Sequence, residues 1–592
     1  MNEHYIGIDL GTTNSVIAGG ILRQGDIFTP EAIKVPQLDR TGWNIERNYY
    51  MLPSALYLKT PTDAKVGLYA RRMLEEDASR VIINAKRYMG IYPEKTWEID
   101  GEVYTPELVS SYYLTILKTA AEENYGTEVD GAIITVPASF NFQQIAATRV
   151  AAQIAGFSDE KVDFISEPTA AVLDFLNQEQ HKDPKSRRIN FSTPQKLLVF
   201  DLGGGTCDVS IVEATVDRYG NIDIQEKIPS RYTSLGGTDF DQKLALAKLN
   251  DFLMKNNIDY ESIERRKLQS ISALFIHYSE RMKHRLSNDI RDLRNNPKYK
   301  DNPEKLKELI EGLVSSERIF LHNYLENVDY LFEVNKKEYD EIISPLLQPS
   351  QIGEKNIIDC IESALANNDM SKDEIDHVFL VGSMTEYYTI QEAVKNYFCP
   401  DGKGVERIHQ GIIDPSYGIA QGAAVYSYYK NIINISKSDD KDKKQEKETQ
   451  RFSGPEVVVP GTIFIELENE DLVLIEAGTP APFERTIEGE LYTTAPTGME
   501  VKLFQGDRYS VMPFELKKGS LRFTRPQQIG TPVSMHIAFD SNKELKVKAW
   551  LTNQPDEVMS LSLGNELLTE EEAREKREKR GDINKVLSFD EF

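Results

Sequence analysis

The sequence predicts an α/β protein of two similar lobes, followed by a linker and a separate all-β, sandwich-like domain. Three observations carry that reading. First, two apolar strands each end on an aspartate and enter a glycine-rich loop: Ile6-Gly7-Ile8-Asp9-Leu10-Gly11-Thr12-Thr13-Asn14 and Leu198-Val199-Phe200-Asp201-Leu202-Gly203-Gly204-Gly205-Thr206-Cys207-Asp208. Second, strand-like and helix-like stretches alternate through residues 1–435. Third, past a dense charged run the pattern changes to short strands split by turn signals over 455–565.

Each loop reads as a strand, a tight turn and a return strand. Such a turn presents backbone N–H groups and hydroxyls where side chains would otherwise block a phosphate. The leading carboxylates Asp9 and Asp201 suit a hydrated Mg2+. One loop alone is a weak signal; two related ones point to a nucleoside triphosphate held between two lobes.

The other elements follow in order. Ala132-Ile133-Ile134-Thr135-Val136 reads as a strand before an alanine-rich helix at 141–156, and His377-Val378-Phe379-Leu380-Val381 as another strand before a helix. Residues 178–195 and 288–304 read as polar loop insertions. From Lys437 to Arg451, 11 of 15 residues are charged, six positive and five negative, so 436–454 reads as a solvated linker, with a long exposed helix as the other reading. Beyond it, turn signals such as Ala495-Pro496-Thr497-Gly498 and Gly506-Asp507 punctuate the strands. Thr569, followed by Glu570, Glu571 and Glu572, caps a short charged helix in the final segment, 566–592.

Bulk properties bound the function classes. At 592 residues the chain exceeds one core, and several domains are expected. An apolar fraction of 40% and a charged fraction of 28% suit a soluble globular protein. The net charge of −25 argues against nucleic acid and against anionic membranes as partners. No apolar run is long enough for a transmembrane helix, and Met1-Asn2-Glu3-His4 is no signal sequence, so a cytoplasmic location is expected. Cys207, Cys360 and Cys399 are scattered without a CxxC, which supports neither a disulfide framework nor a zinc site.

Six motifs in order resemble the 70-kDa heat-shock chaperone family, whose ATPase has the actin-like fold. They are the two loops, Ala85-Lys86-Arg87-Tyr88-Met89-Gly90, Val136-Pro137-Ala138-Ser139-Phe140, Glu167-Pro168-Thr169-Ala170-Ala171 and Leu235-Gly236-Gly237-Thr238-Asp239-Phe240-Asp241. Val381-Gly382-Ser383 and Asp414-Pro415 are weaker matches. The resemblance spans 1–430 and is fainter over the β-rich part, where it rests on pattern and Phe504-Gln505-Gly506-Asp507.

The resemblance implies ATP or ADP with Mg2+ as cofactors, Asp9 and Asp201 as metal anchors, and Lys86, Glu167, Thr206 and Asp208 as hydrolytic residues. It places Gly11, Thr12, Thr13, Asn14, Gly203, Gly204, Gly205, Gly236, Gly237, Gly382, Ser383 and Asp414 around the nucleotide. Glu280, Lys283, His284 and Ser287 fall where the family contacts adenosine. Plainer readings stand beside some of these: Lys86 as a surface lysine, Glu167 as a helix N-terminal carboxylate before Pro168, and Asp208 as a turn cap. In the β-rich domain, Ile465, Tyr492, Thr494, Met499 and Val501 are candidate peptide-pocket residues by position, or plain sandwich core.

The chain also departs from the family. His284 stands where a base-stacking arginine is expected, and Glu386 where a second arginine is expected. Loss of two guanidiniums predicts weaker adenosine stacking, by about 0.5–2 kcal/mol each. An arginine used by the family to couple nucleotide and peptide aligns with Ile145. The charged linker is expected to stay solvated and to gain no burial energy by docking, Val457-Val458-Val459 being its one apolar run. A short stub in place of a full helical lid predicts fast peptide release. The function expected is an ATP-hydrolysing chaperone-like protein that binds extended apolar segments of unfolded polypeptides. A J-domain cochaperone and a nucleotide-exchange factor are the partners the resemblance implies. A dedicated nucleotide switch for one partner protein is the alternative, and a small-molecule kinase of the same superfamily is disfavoured.

Overall fold

The computed structural model describes residues 4–21, 28–91, 95–218, 220–230, 233–300, 302–321, 325, 328–348, 355–437, 455–467, 471–506, 514–516, 519–540, 544–556, 558–561 and 568–585. It is a mixed α/β structure, 39% helix and 29% strand. Among the described residues, no helix is long and apolar enough to cross a membrane.

Both aspartate-led strands open an antiparallel hairpin, His4–Asp9 with Asn14–Ile21 and Gln195–Leu202 with Cys207–Val216. On its other side each leading strand belongs to a parallel ladder. Ala132–Val136 and then Val162–Ser166 extend the first sheet; His377–Val381 and then Ile408–Gln410 extend the second. The two sheets therefore repeat one plan. Strands covered on both faces read as unbroken apolar runs, and all five residues of Ala132–Val136 are buried. The helix Phe142–Ala155 follows, opened by a reciprocal cap between Asn141 and Gln144 and closed by Gly156 at φ 96°.

The helix Gly418–Lys437 runs against the strand His4–Asp9 and the helix Glu167–Gln180. It can do so because small residues meet there. A Cβ on Gly7 would lie 2.2 Å from the Ala424 nitrogen, and one on Gly422 1.8 Å from the Ala170 carbonyl oxygen. One apolar core joins Ile133 and Ile165 of the first sheet, Val199 and Phe379 of the second, and Ala423 and Val425 of this helix.

The loop insertion expected at 288–304 is mostly helix. Arg265–Asn295 continues through its first half, and Pro303–Glu311 starts a new helix. There the Asn302 side chain accepts from the Lys305 N–H, with Pro303 in the first turn. An Asn-Pro pair is a helix start as well as a turn signal.

The β-rich part forms two four-stranded sheets that share one core of Ile463, Leu474, Ile487, Met535, Ile537 and Val547. The strand Leu545–Leu551 shows the alternation expected of a half-buried strand: Val547, Ala549 and Leu551 are buried, Lys546 and Lys548 exposed. Phe142 of the first part closes this core, and Arg149 pairs with Glu544 at 3.0 Å.

The charged run 438–454 lies outside the described residues, but the chain that follows departs from the expected lack of docking. Glu456 joins the edge of the second sheet, its N–H donating to the Ile224 carbonyl at 2.9 Å and its carbonyl accepting from the Glu226 N–H at 3.1 Å. Val457, Val458 and Val459 are buried. The apolar residues just past the charged run gain burial, Val457 and Val459 being hydrogen-bonded to the 478–481 segment of the β-rich part.

The final segment returns to the first part of the molecule. The helix Glu570–Glu578 packs on Phe142–Ala155, and Asp582–Ile583 adds a parallel strand to the edge strand Asp63–Val66. Asn584 donates its N–H to the Ala64 carbonyl at 2.9 Å, and its side chain accepts from the Val66 N–H at 2.7 Å. Arg580 is buried over the Tyr112 ring at 4.9 Å and donates to Ser111 Oγ at 3.0 Å. Burial pushes its pKa down to about 10, which leaves it charged at neutral pH. Arg580→Ala is expected to lower the unfolding free energy by about 2 kcal/mol and to speed hydrogen exchange at the Val66 amide. Unchanged exchange there would show that Arg580 does not fasten the tail.

Candidate functional site

The turns of the two hairpins lie against each other. A Cβ on Gly204 would come within 1.6 Å of Thr13 Oγ1, and one on Gly205 within 2.5 Å of Thr12 Cγ2. The second loop also abuts the start of the helix Gly237–Lys255. Gly237 and Thr238 donate their N–H groups to the carbonyls of Gly203 at 3.0 Å and Gly204 at 2.7 Å.

Beneath the loops sits a buried polar centre. Lys86, on the short 3-10 turn Ala85–Tyr88, pairs with Glu167 at 2.5 Å, both side chains being 8% exposed. Glu167 is the first residue of its helix, and the Ser166 side chain caps that helix by accepting from the Thr169 N–H. Asp9 and Asp201 line the same cavity of about 90 Å³, together with Gly11, Thr12, Thr13, Asn14, Gly203, Gly204, Thr206, Gly382 and Ser383. Burial, reinforced by the charge of Glu167, pushes Asp9 up to about 7. Burial raises Asp201 well above the usual carboxylate range, with Glu167, Asp208 and Asp9 adding to it. Burial opposes the charge of Lys86, but Glu167 and Asp9 hold its pKa above the ordinary lysine value. Two buried carboxylates, Asp201 and Glu167, and the partly buried Asp9 thus share one cavity with one ammonium.

A larger cleft of about 460 Å³ shares Thr12, Thr13, Asn14, Gly204 and Ser383 with this cavity. Gly237, Glu280, Lys283, His284 and Ser287 line it, with Glu386 among them. Glu280 is tied across the cleft to Arg71, whose Nη2 donates to both of its carboxylate oxygens, and it lies well below the usual carboxylate range. Burial opposes that shift; the charges of Arg71 and Lys283 together with the His284 contact outweigh it. Lys283 donates to Asp241 at 2.8 Å. His284, by contrast, is 64% exposed and 3.8 Å from Glu280.

Four expected residues lie off the lining. Gly205 and Gly236 pack loop against helix, a Cβ on Gly236 falling 2.5 Å from the Gly205 nitrogen. Asp208 is buried and accepts from the Ser139 N–H at 3.4 Å. Asp414 caps its own turn, accepting from the N–H groups of Ser416 at 2.8 Å and Tyr417 at 3.0 Å. Sequence reasoning missed two cross-connections: Arg71 with Glu280, and Arg87, which donates to Asp239 at 2.9 Å and the Ser234 carbonyl at 2.7 Å. Arg87 and Asp239 each sit inside a quoted motif and could have been paired; Arg71 carries no local signal.

The family model described as Hsp70 protein matches residues 5–293 and 272–549. The chain belongs to the Hsp70 family. That family suggests ATP-dependent chaperone function, with ATP or ADP and Mg2+ as its general ligands. The donor set of this Hsp70 fits a hard divalent cation: buried carboxylate oxygens in excess of positive charge. Among the described residues, no three histidine, cysteine or carboxylate groups converge to chelate an ion directly. A cation here would keep most of its waters, as Mg2+ does.

The five candidate peptide residues of this Hsp70 differ in exposure. Ile465 and Val501 are in the β-rich core, and Met499 packs partly buried against it. Tyr492 is 51% exposed, its hydroxyl donating to the Gly489 carbonyl, and Thr494 is exposed.

Breaking a buried ion pair leaves the remaining charge uncompensated, at about 3–5 kcal/mol. Lys86→Met is expected to destabilise the cation-free protein by about that much, and adding Glu167→Gln is expected to restore most of it. Denaturant unfolding of the two variants checks this; an additive pair would sever the link.

Proposed function

We propose that the chain is an ATP-hydrolysing, chaperone-like protein that binds extended apolar segments of unfolded polypeptides. The reading is supported above all by the apposition of two aspartate-led glycine loops over a centre of three carboxylates and one lysine. In it, residues 1–435 form a two-lobed actin-like ATPase, 436–454 the linker, 455–565 a β-sandwich for polypeptide, and 566–592 a helical stub and tail. Asp9 and Asp201 hold Mg2+ through its waters. When bound, Mg2+ neutralises charge on the β- and γ-phosphates. Thr12, Thr13 and the 203–206 backbone cradle those phosphates. Lys86 brings positive charge toward the γ-phosphoryl group, and Glu167 holds Lys86 and orients water. Asp208 lies behind the second loop and supports it.

Glu280, Lys283, His284 and Ser287 face the nucleoside. With His284 and Glu386 in place of guanidiniums, ATP is bound more weakly than nanomolar. His284→Arg and Glu386→Arg are each expected to tighten ATP binding by about two- to thirty-fold; calorimetry showing no gain would remove the stacking argument. A strand added to the β-rich domain is the mode by which an extended polypeptide would bind. A J-domain cochaperone and a nucleotide-exchange factor are its proposed partners.

The central test is ATP turnover of the wild type beside Lys86→Ala and Thr206→Ala. Each variant is expected to lose at least about ten-fold in rate; equal rates in all three would reject hydrolysis at this centre. A second reading, a dedicated switch for one partner, is favoured by one observation. The β-rich part is attached to the rest at both ends, by Glu456 and by the 568–585 tail. Capture from lysate under ATP and ADP separates the two: many clients support the chaperone, one stoichiometric protein the switch.

A further inference from the structure

Three carboxylates line the larger cleft, and two of them already have cations. Asp241 accepts from Lys283 at 2.8 Å, and Glu280 pairs with Arg71. Glu386, exposed at the end of the short 3-10 turn Ser383–Glu386, has no hydrogen-bond or ion-pair partner among the described residues. The helix Arg265–Asn295 gives the same cleft one stripe of its surface, through Lys283, Ser287, Asn288 and Arg291. Lys283 reaches back to the loops, donating to the Gly237 carbonyl at 3.3 Å. Arg291 stands eight residues beyond it, about 12 Å further along a helix. With phosphates at the loops, that outer stretch is where the base of a nucleotide falls. There Arg291 Nη2 donates to Asn288 Oδ1 at 2.9 Å. The Asn288 amide is left with N–H donors that have no partner among the described residues.

The outer cleft therefore offers an unpaired acceptor on Glu386 and unpaired donors on Asn288. The two purines answer such a set differently. Guanine carries acceptors at O6 and N7 and two adjacent donors, N1–H and the N2 amino group; adenine carries a donor at N6 and a bare acceptor at N1. An ionised carboxylate can only accept. From guanine it takes two parallel bonds, as it does from an arginine fork. From adenine it takes one, at N6, and its second oxygen then meets the N1 lone pair. Asn288 works in the same direction, because its N–H suits guanine O6 and opposes the adenine amino group. One purine is favoured by attraction and the other disfavoured by repulsion, which is how a site discriminates. We infer that the base subsite of this cleft takes guanine in preference to adenine, with Glu386 as its specificity-determining residue. The inference rests on the nucleotide reading above and concerns the base alone, since both triphosphates bring the same phosphates to the loops. It falls where the chain departs from the family expectation, at His284 and Glu386.

The experiment is calorimetry on the full chain with Mg2+, titrating GTP, ITP and ATP into wild type, Glu386→Gln and Asn288→Ala. Wild type is expected to bind GTP about ten-fold tighter than ATP, with ITP, which lacks the N2 amino group, between them. Glu386→Gln turns one acceptor oxygen into a donor. It is expected to weaken GTP at least about five-fold while moving ATP less than about two-fold, so that the preference is lost. Asn288→Ala is expected to weaken GTP and ITP alike and to spare ATP. Glu386 is exposed and without a partner, so its replacement leaves the fold intact. ATP bound as tightly as GTP, or a GTP-to-ATP ratio that Glu386→Gln does not move, overturns the inference. Failure of all three nucleotides to bind would reject the nucleotide reading and the inference with it. Equal ATP turnover in wild type and Lys86→Ala would reject hydrolysis alone, because the base preference is read from binding.

Discussion

The molecule depends on one steric constraint: backbones must approach closely in its middle, with no side chains between them. The helix Gly418–Lys437 reaches the first sheet only because Gly7 lacks a Cβ and the helix Glu167–Gln180 only because Gly422 does, and the two hairpin turns touch only because Gly204 and Gly205 lack one. Side chains at these positions would separate the sheets. Asp9 and Asp201 would then no longer share a cavity with Lys86 and Glu167. Glycine in a strand or loop costs conformational entropy; here that cost is offset by a packed interface and a site at its seam.

Closeness has an electrostatic consequence. Asp9, Asp201 and Glu167 line one cavity with a single ammonium, and burial disfavours the charged forms of the two aspartates. An arrangement so short of positive charge stabilises whatever cation enters it, and a triphosphate arriving with its metal brings both signs at once. The outer cleft is balanced differently. There Arg71 meets Glu280 across the cleft, and off its lining Arg87 meets Asp239, each pair joining segments far apart in sequence.

What could be read from the sequence follows from how local each signal is. The loops, the strand Ala132–Val136, the alanine-rich helix after it and the Thr569 cap are short-range patterns, and each is found in place. Lys86 and Glu167 were legible as motif members, although their contact is separated by 81 positions. Arg71 was not legible, because a surface arginine on a short helix gives no sign of a partner 209 positions away. Period-2 alternation marks a strand without saying whether its inner face meets a core or a ligand. Ile465 and Val501 face the core, while Tyr492 does not. The charged run expected as a linker lies almost wholly outside the described residues; the burial of Val457–Val459 just past it depends on partners at 478–481 that charge density does not reveal.

Attachment at both ends constrains the β-rich part more than the linker alone could. Its incoming strand is bonded to the second sheet through Glu456, and its outgoing tail to the strand Asp63–Val66 and the helix Phe142–Ala155, both on the side of the first. Phe142 and Arg149 add contacts from that same helix. Edge strands are exposed liabilities, and here the chain covers two of its own with its own segments. A change in the angle between the two sheets cannot leave both attachments relaxed. One must stretch or let go. The hold on the β-rich part therefore does not need an apolar linker along its whole length; it rests on two anchors, one at each end, on different sheets.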